Sequence, residues 1–172
     1  MNIPIILLLA FSLSMDAFSL SLAYGTLNFN KKTKKQLAVS VGIFHFIMPI
    51  LGMRVNHYLK DYAHISFDII TLILFIYIGV NMIVESKKEK ELELDNYFKS
   101  ILLFSTVVSV DSFTVGIALN KFSIIPPLFF SLFSAIFTFL GLTLGEKVHK
   151  KYGKGATILG GIIFIILGIL YI

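Results

Sequence analysis

The chain contains no cysteine, which excludes disulfides, thiolate metal ligands and thiol nucleophiles together. Charge is sparse, at 15% of residues, and no polar stretch is long enough for a separate soluble domain. The longest gap between apolar blocks runs from Ser86 to Lys99. No nucleotide-binding motif is present, so any transport work must draw on an ion gradient or the membrane potential. There is no tail suited to nucleic acid, and the pI of about 9.4 is explained by where the lysines sit. The amino-terminal apolar run has no basic segment before it and is interrupted by Asp16. It is therefore expected to remain as a membrane span, not to be removed as a signal peptide.

What is present is apolar. Hydrophobic residues make up 56% of the 172 positions, the mean hydropathy is +0.87, and these residues come in long blocks. A water-soluble domain of this size could not hide that much apolar surface. The blocks predict six membrane-spanning helices at 3–24, 36–57, 65–85, 100–119, 124–145 and 155–172. The expected fold is an all-α polytopic membrane protein, one membrane domain over 1–172. Within it, 1–85 and 100–172 form two three-helix units, joined by a charged cytoplasmic connector at 86–99.

Twelve of the 15 basic residues fall in three turns, Lys31–Lys35, Lys87–Lys99 and Lys147–Lys154, while Arg54, Lys60 and Lys121 lie on the other side. Basic residues beside spans stay cytoplasmic, so both termini are expected outside a cell (plasma) membrane crossed several times.

Two aspartates interrupt the apolar blocks, and they share a phrase. Ser14-x-Asp16-x-Phe18-Ser19-x-x-x-Ala23 recurs as Ser109-x-Asp111-x-Phe113-Thr114-x-x-x-Ala118, 95 positions later. Ile43-Phe44-x-Phe46 recurs as Ile136-Phe137-x-Phe139, and Phe75-x-x-x-Gly79 as Phe164-x-x-x-Gly168. With three spans per half, the second half must enter the membrane from the opposite face, which predicts a 3+3 inverted-topology repeat. At 1.5 Å per residue both aspartates fall within a few ångströms of the bilayer midplane. A carboxylate there costs about 2.5–3.5 kcal/mol, so each is expected to face the bundle interior and to be functional. Two of them repel unless protons or a cation intervene, and carboxylates with hydroxyl oxygens suit a hard divalent cation such as manganese or magnesium. Residues three, four and seven apart share a helix face, so Ser12 and Ser19 are expected beside Asp16, and Thr114 beside Asp111.

Three further positions are ambiguous. His45 is either a nitrogen ligand or proton carrier, or a polar residue satisfied inside the bundle. Asn81 either offers an oxygen along the ion's path or makes a helix–helix hydrogen bond. Pro49, four residues beyond His45, cannot donate to the His45 carbonyl. An intramembrane aspartyl protease would also use two buried carboxylates sharing a proton, but its Gly-x-Gly-Asp phrase is absent before Asp111.

The doubled Ser-x-Asp-x-Phe phrase, the Gly-Ile-Phe-His-Phe-x-Met-Pro-x-x-Gly stretch at Gly42–Gly52 and the glycine-rich last span resemble the manganese efflux pump family, often called MntP. The resemblance covers essentially the whole chain. It implies a secondary transporter, not an enzyme, that exports manganese(II) from the cytoplasm, with Asp16 and Asp111 as the residues needed for export. Some members carry an acidic residue in span two where this chain has His45. A sporulation-associated membrane family with similar repeats is the alternative. The expected partners are a divalent metal ion and the lipid bilayer, with no nucleic acid and no resident cofactor. Association into a homo-oligomer is left open.

Overall fold

The computed structural model describes residues 3–59, 68–86, 94–119 and 123–170. Seven α-helices follow one another, with no strand among the described residues. They are α1 (Ile3–Tyr24), α2 (Lys31–Leu59), α3 (Asp68–Ser86), α4 (Leu94–Val108), α5 (Val110–Ala118), α6 (Ile125–Tyr152) and α7 (Lys154–Leu170), with a 3₁₀ turn at Gly25–Leu27. Four stretches are by themselves long and apolar enough to cross a membrane: Ile3–Leu27, Lys31–Val55, Phe98–Ala118 and Ile125–Tyr152. The apolar part of α7, Lys154–Ile166, is shorter. The molecule is thus a polytopic helical membrane protein. Several boundaries differ from expectation: α2 begins at Lys31, ahead of the expected 36, and α6 runs on to Tyr152, beyond the expected 145. α4 already begins at Leu94, inside the stretch read as a connector, and the span expected at 100–119 is two helices meeting at Ser109. The connector's residues 87–93, with Lys60 and Lys121, lie outside the described residues.

Local chemistry explains the helix ends. Asn28 takes a left-handed conformation, φ 60°, which a short polar side chain tolerates. The Asn30 side-chain oxygen then accepts from the Thr33 N–H and hydroxyl, both at 2.9 Å, and so caps the first turn of α2. Pro126 and Pro127 open α6, where their missing N–H groups have no helical partner to lose. His149, Lys150 and Lys151 occupy its last turn, where cations suit the helix dipole, and Gly153 ends it at φ 60°.

The outer faces are apolar at helical spacing. Val39, Ile43, Ile47 and Leu51 line α2, and Leu128, Leu132, Ile136, Leu140 and Leu144 line α6, all exposed. In water such stripes would be a liability; they are what a helix presents to an apolar surrounding. Inside, small residues let backbones touch. A Cβ at Gly141 of α6 would lie 2.6 Å from the Phe18 carbonyl and 3.1 Å from the Leu22 amide of α1. A Cβ at Gly52 of α2 would collide with the Phe113 carbonyl and lie 2.8 Å from the Ile117 amide of α5. Gly79 of α3 and Gly161 of α7 oppose each other reciprocally, each with its carbonyl against the other's missing Cβ.

One end of the bundle, the end with the lysine-rich turns, is closed by aromatic rings and ion pairs. Tyr24 stacks on Phe104 with centroids 4.3 Å apart, and Phe29 and Phe164 flank it. Glu146 of α6 pairs with Lys34 of α2 and with Lys150. Lys34 is only 7% exposed, and a cation so enclosed needs a partner. Thr157 of α7 donates to the Thr26 carbonyl at 2.7 Å and accepts from His149 Nδ1 at 3.1 Å. Four elements are tied together within a few residues.

Candidate metal site

α1 carries Asp16 in an unbroken helix, whereas α5 carries Asp111 in its first turn, two residues beyond an interruption. Ser109 has φ −109° and ψ 3°, and its N–H turns back to Thr106, three residues earlier, at 3.1 Å. A span broken at membrane depth is tolerated only where its backbone is buried in protein or lines a cavity, and Ser109 is fully buried.

The carboxylates differ in surroundings. Asp111 Oδ1 accepts from the Ser112 N–H at 2.7 Å, while Oδ2 is buried without a hydrogen-bond partner among the described residues. Asp16 lies on an open face of the bundle with Ser12 and Ser19. Sequence reasoning placed Asp16 toward a bundle interior; the structure instead leaves its face open from Ser12 to Ser19. The same face closes at Ala23, because Gly160 of α7 packs against the Ala23 carbonyl. Ser19 bonds back to the Met15 carbonyl at 2.9 Å, and Thr114, also exposed, reaches the Val110 carbonyl at 3.4 Å.

His45 is fully buried. Its Nδ1 lies 3.0 Å from the Val41 carbonyl and 2.8 Å from the Ser109 hydroxyl. A carbonyl can only accept, so Nδ1 carries the ring proton. Nε2 is then a bare nitrogen, and it has no hydrogen-bond partner among the described residues. Asn81 is not brought to the aspartates. It lines a small cavity with Tyr24, Leu27, Ile78, Met82, Ser100 and Leu103, and Tyr24 lies about 12 Å along α1 from Asp16.

Among the described residues no three His, Cys, Asp or Glu side chains converge on a point. Two carboxylates alone do not fill the shell of a hard cation, which takes six or more oxygens. Hydroxyls, carbonyls and water would supply the rest. Sequence reasoning missed the interruption at Ser109 and the Lys34–Glu146 pair. Neither Gly nor Pro marks the first, and the second joins residues 112 positions apart.

The sequence profile of a family described as "Putative manganese efflux pump" matches residues 28–172. Proteins named as manganese efflux pumps of that kind are similar along nearly their whole length. The one from Bacillus pumilus is 35% identical over 166 residues, covering 94% of this chain and 90% of its own. That of Bacillus velezensis is 36% identical over 166 residues, with 94% and 90% covered. A Bacillus cereus relative is 34% identical over 174 residues, with 97% and 93% covered. No solved structure matches.

Proposed function

Since the chain belongs to the manganese efflux pump family, a family of transporters and not of enzymes, we propose that it exports manganese(II) from the cytoplasm across the plasma membrane. The observation that carries this reading is the pair of aspartates, each set in one of two apolar spans by the same Ser-x-Asp-x-Phe phrase. An interior-negative potential opposes exit of a divalent cation by about 4.6 kcal/mol per 100 mV, twice the single-charge value. Export therefore runs in exchange for protons, each carboxylate holding a proton or a share of the metal in turn. The unpartnered His45 Nε2 is in the form in which imidazole ligates metal.

The transporter works as a 3+3 inverted repeat of six spans with both termini outside. The serine–aspartate phrase repeated 95 positions apart supports this. The face of α1 is open at Asp16 and sealed at Ala23, and the Lys34–Glu146 pair closes the same end. This arrangement fits a carrier whose cytoplasmic side is shut.

Two measurements test the reading. Cells lacking their own exporter and given this chain should hold severalfold less manganese under manganese stress, with magnesium, calcium, iron(II) and zinc measured beside it. Equal manganese with and without the chain would refute export. Separately, a reporter active only outside the cell should be active when fused after Ile172 and silent when fused near Asn96. Activity at both positions would end the six-span model.

A further inference from the structure

The interruption at Ser109 is not explained by the local sequence. The same phrase occurs at Ser14-Met15-Asp16, where the helix runs through and the Ser14 hydroxyl bonds back to the Ala10 carbonyl at 2.5 Å. Serine in a helix commonly bonds back in this way. The Ser109 hydroxyl does not; it is held sideways by His45 Nδ1 at 2.8 Å. The position matching His45 by the 93-residue offset is Thr138 of α6, whose hydroxyl is buried without a hydrogen-bond partner among the described residues. The helix is interrupted only in the half where the serine is engaged from a neighbouring helix.

The interruption changes what lies beside Asp111. The last four carbonyls of a helix lack intrahelical partners and carry the negative end of its dipole. α4 ends at Val108, and of its terminal carbonyls Thr106 accepts from Ser109. Side chains in a helix lean toward its N-terminus, so Asp111, in the first turn of α5, leans back toward the gap. Its Oδ2 is buried, without a hydrogen-bond partner among the described residues.

We propose that the gap between α4 and α5 forms part of the cation site. The carbonyl oxygens of Val107 and Val108 join Asp111 Oδ2 as neutral ligands, and Ser109 is the positioning residue that keeps the gap open through His45. This rests on the reading of Asp111 as a metal-holding carboxylate. It accounts for how a site with no third convergent acidic or histidine side chain can complete an oxygen shell, and it makes the gap the part that sets which divalent ion fits.

The test uses the full chain in liposomes, with manganese uptake and hydrogen exchange measured on Ser109→Ala, Ser109→Thr and Asp111→Asn. Ser109→Ala removes the lateral bond and favours a continuous helix. It should raise the KM for manganese about tenfold, the worth of one well-placed hydrogen bond, with the maximal rate little changed. Amide exchange across Val110–Phe113 should slow as the ladder is restored. Ser109→Thr keeps the hydroxyl and should stay within about twofold of the parent. A parental KM in Ser109→Ala, or equal damage from Ala and Thr, overturns the proposal. If Asp111→Asn transports normally, the carboxylate reading itself fails. If Asp111→Asn is inactive while Ser109→Ala is unaffected, only the role of the gap fails.

Discussion

Asp16→Asn and Asp111→Asn are each expected to abolish manganese export, by at least a hundredfold in rate, while the protein remains in the membrane. The amide keeps the size of the carboxylate and removes the charge that balances the cation. At Asp111 the loss is direct. Its Oδ2 is buried with no hydrogen-bond partner among the described residues, so in the absence of cation or proton little beyond the Ser112 N–H at Oδ1 offsets the charge, and the replacement removes an unfavourable burial along with the function. Folding should therefore be preserved or improved, which separates a functional residue from a structural one. At Asp16 the side chain is already on an open face, and stability should hardly change. Metal accumulation in cells and the thermal midpoint in detergent, read together, decide the matter. A variant that exported at the parental rate would remove its aspartate from the site.

The second large effect is steric. Gly145→Val and Gly52→Val should prevent accumulation of folded protein. A Cβ at Gly145 would overlap the Leu22 carbonyl and lie 2.8 Å from the Gly25 Cα; at Gly52 it would overlap the Phe113 carbonyl. The atoms in the way are backbone, which cannot turn aside as a flexible side chain can. Overpacking usually costs about 1–3 kcal/mol, and contacts made only of main chain belong at or above the top of that range. Membrane helices associate through close packing, with no hydrophobic force to hold a widened interface together. Gly155→Ala is the control, since nothing lies within 4 Å of that position. Gly155→Ala should express and elute as a single species like the parent, whereas the two valine variants should aggregate or be degraded. Normal yields from both would mean that the α1–α6 and α2–α5 interfaces are looser than the geometry requires.

Four of the expected spans were legible because the bilayer imposes one rule on local sequence: about 20 apolar residues in a row, with polar caps at the ends. α1 coincides with the expected 3–24, and α6 begins at Ile125, beside the expected 124. The aspartates were legible for the same reason, since a carboxylate in such a run stands out against its cost. Their surroundings were not. Ser12, Asp16, Ser19 and Ala23 share a face by spacing, yet Gly160 of α7 covers only the last of them.

Composition and periodicity determined that this chain lies in a membrane as helices, where the helices run and which residues are anomalous there. Each of those is settled within a window of about 20 residues. Tertiary structure decided which anomalies matter to one another. Two copies of one serine–aspartate phrase take different backbones because His45 stands beside one and Thr138 occupies the matching place in the other half. Lys34 is buried because Glu146 meets it from a helix more than a hundred positions away. Contacts of that kind depend on which helices pack side by side, and packing follows shape across the whole bundle, which no single span contains.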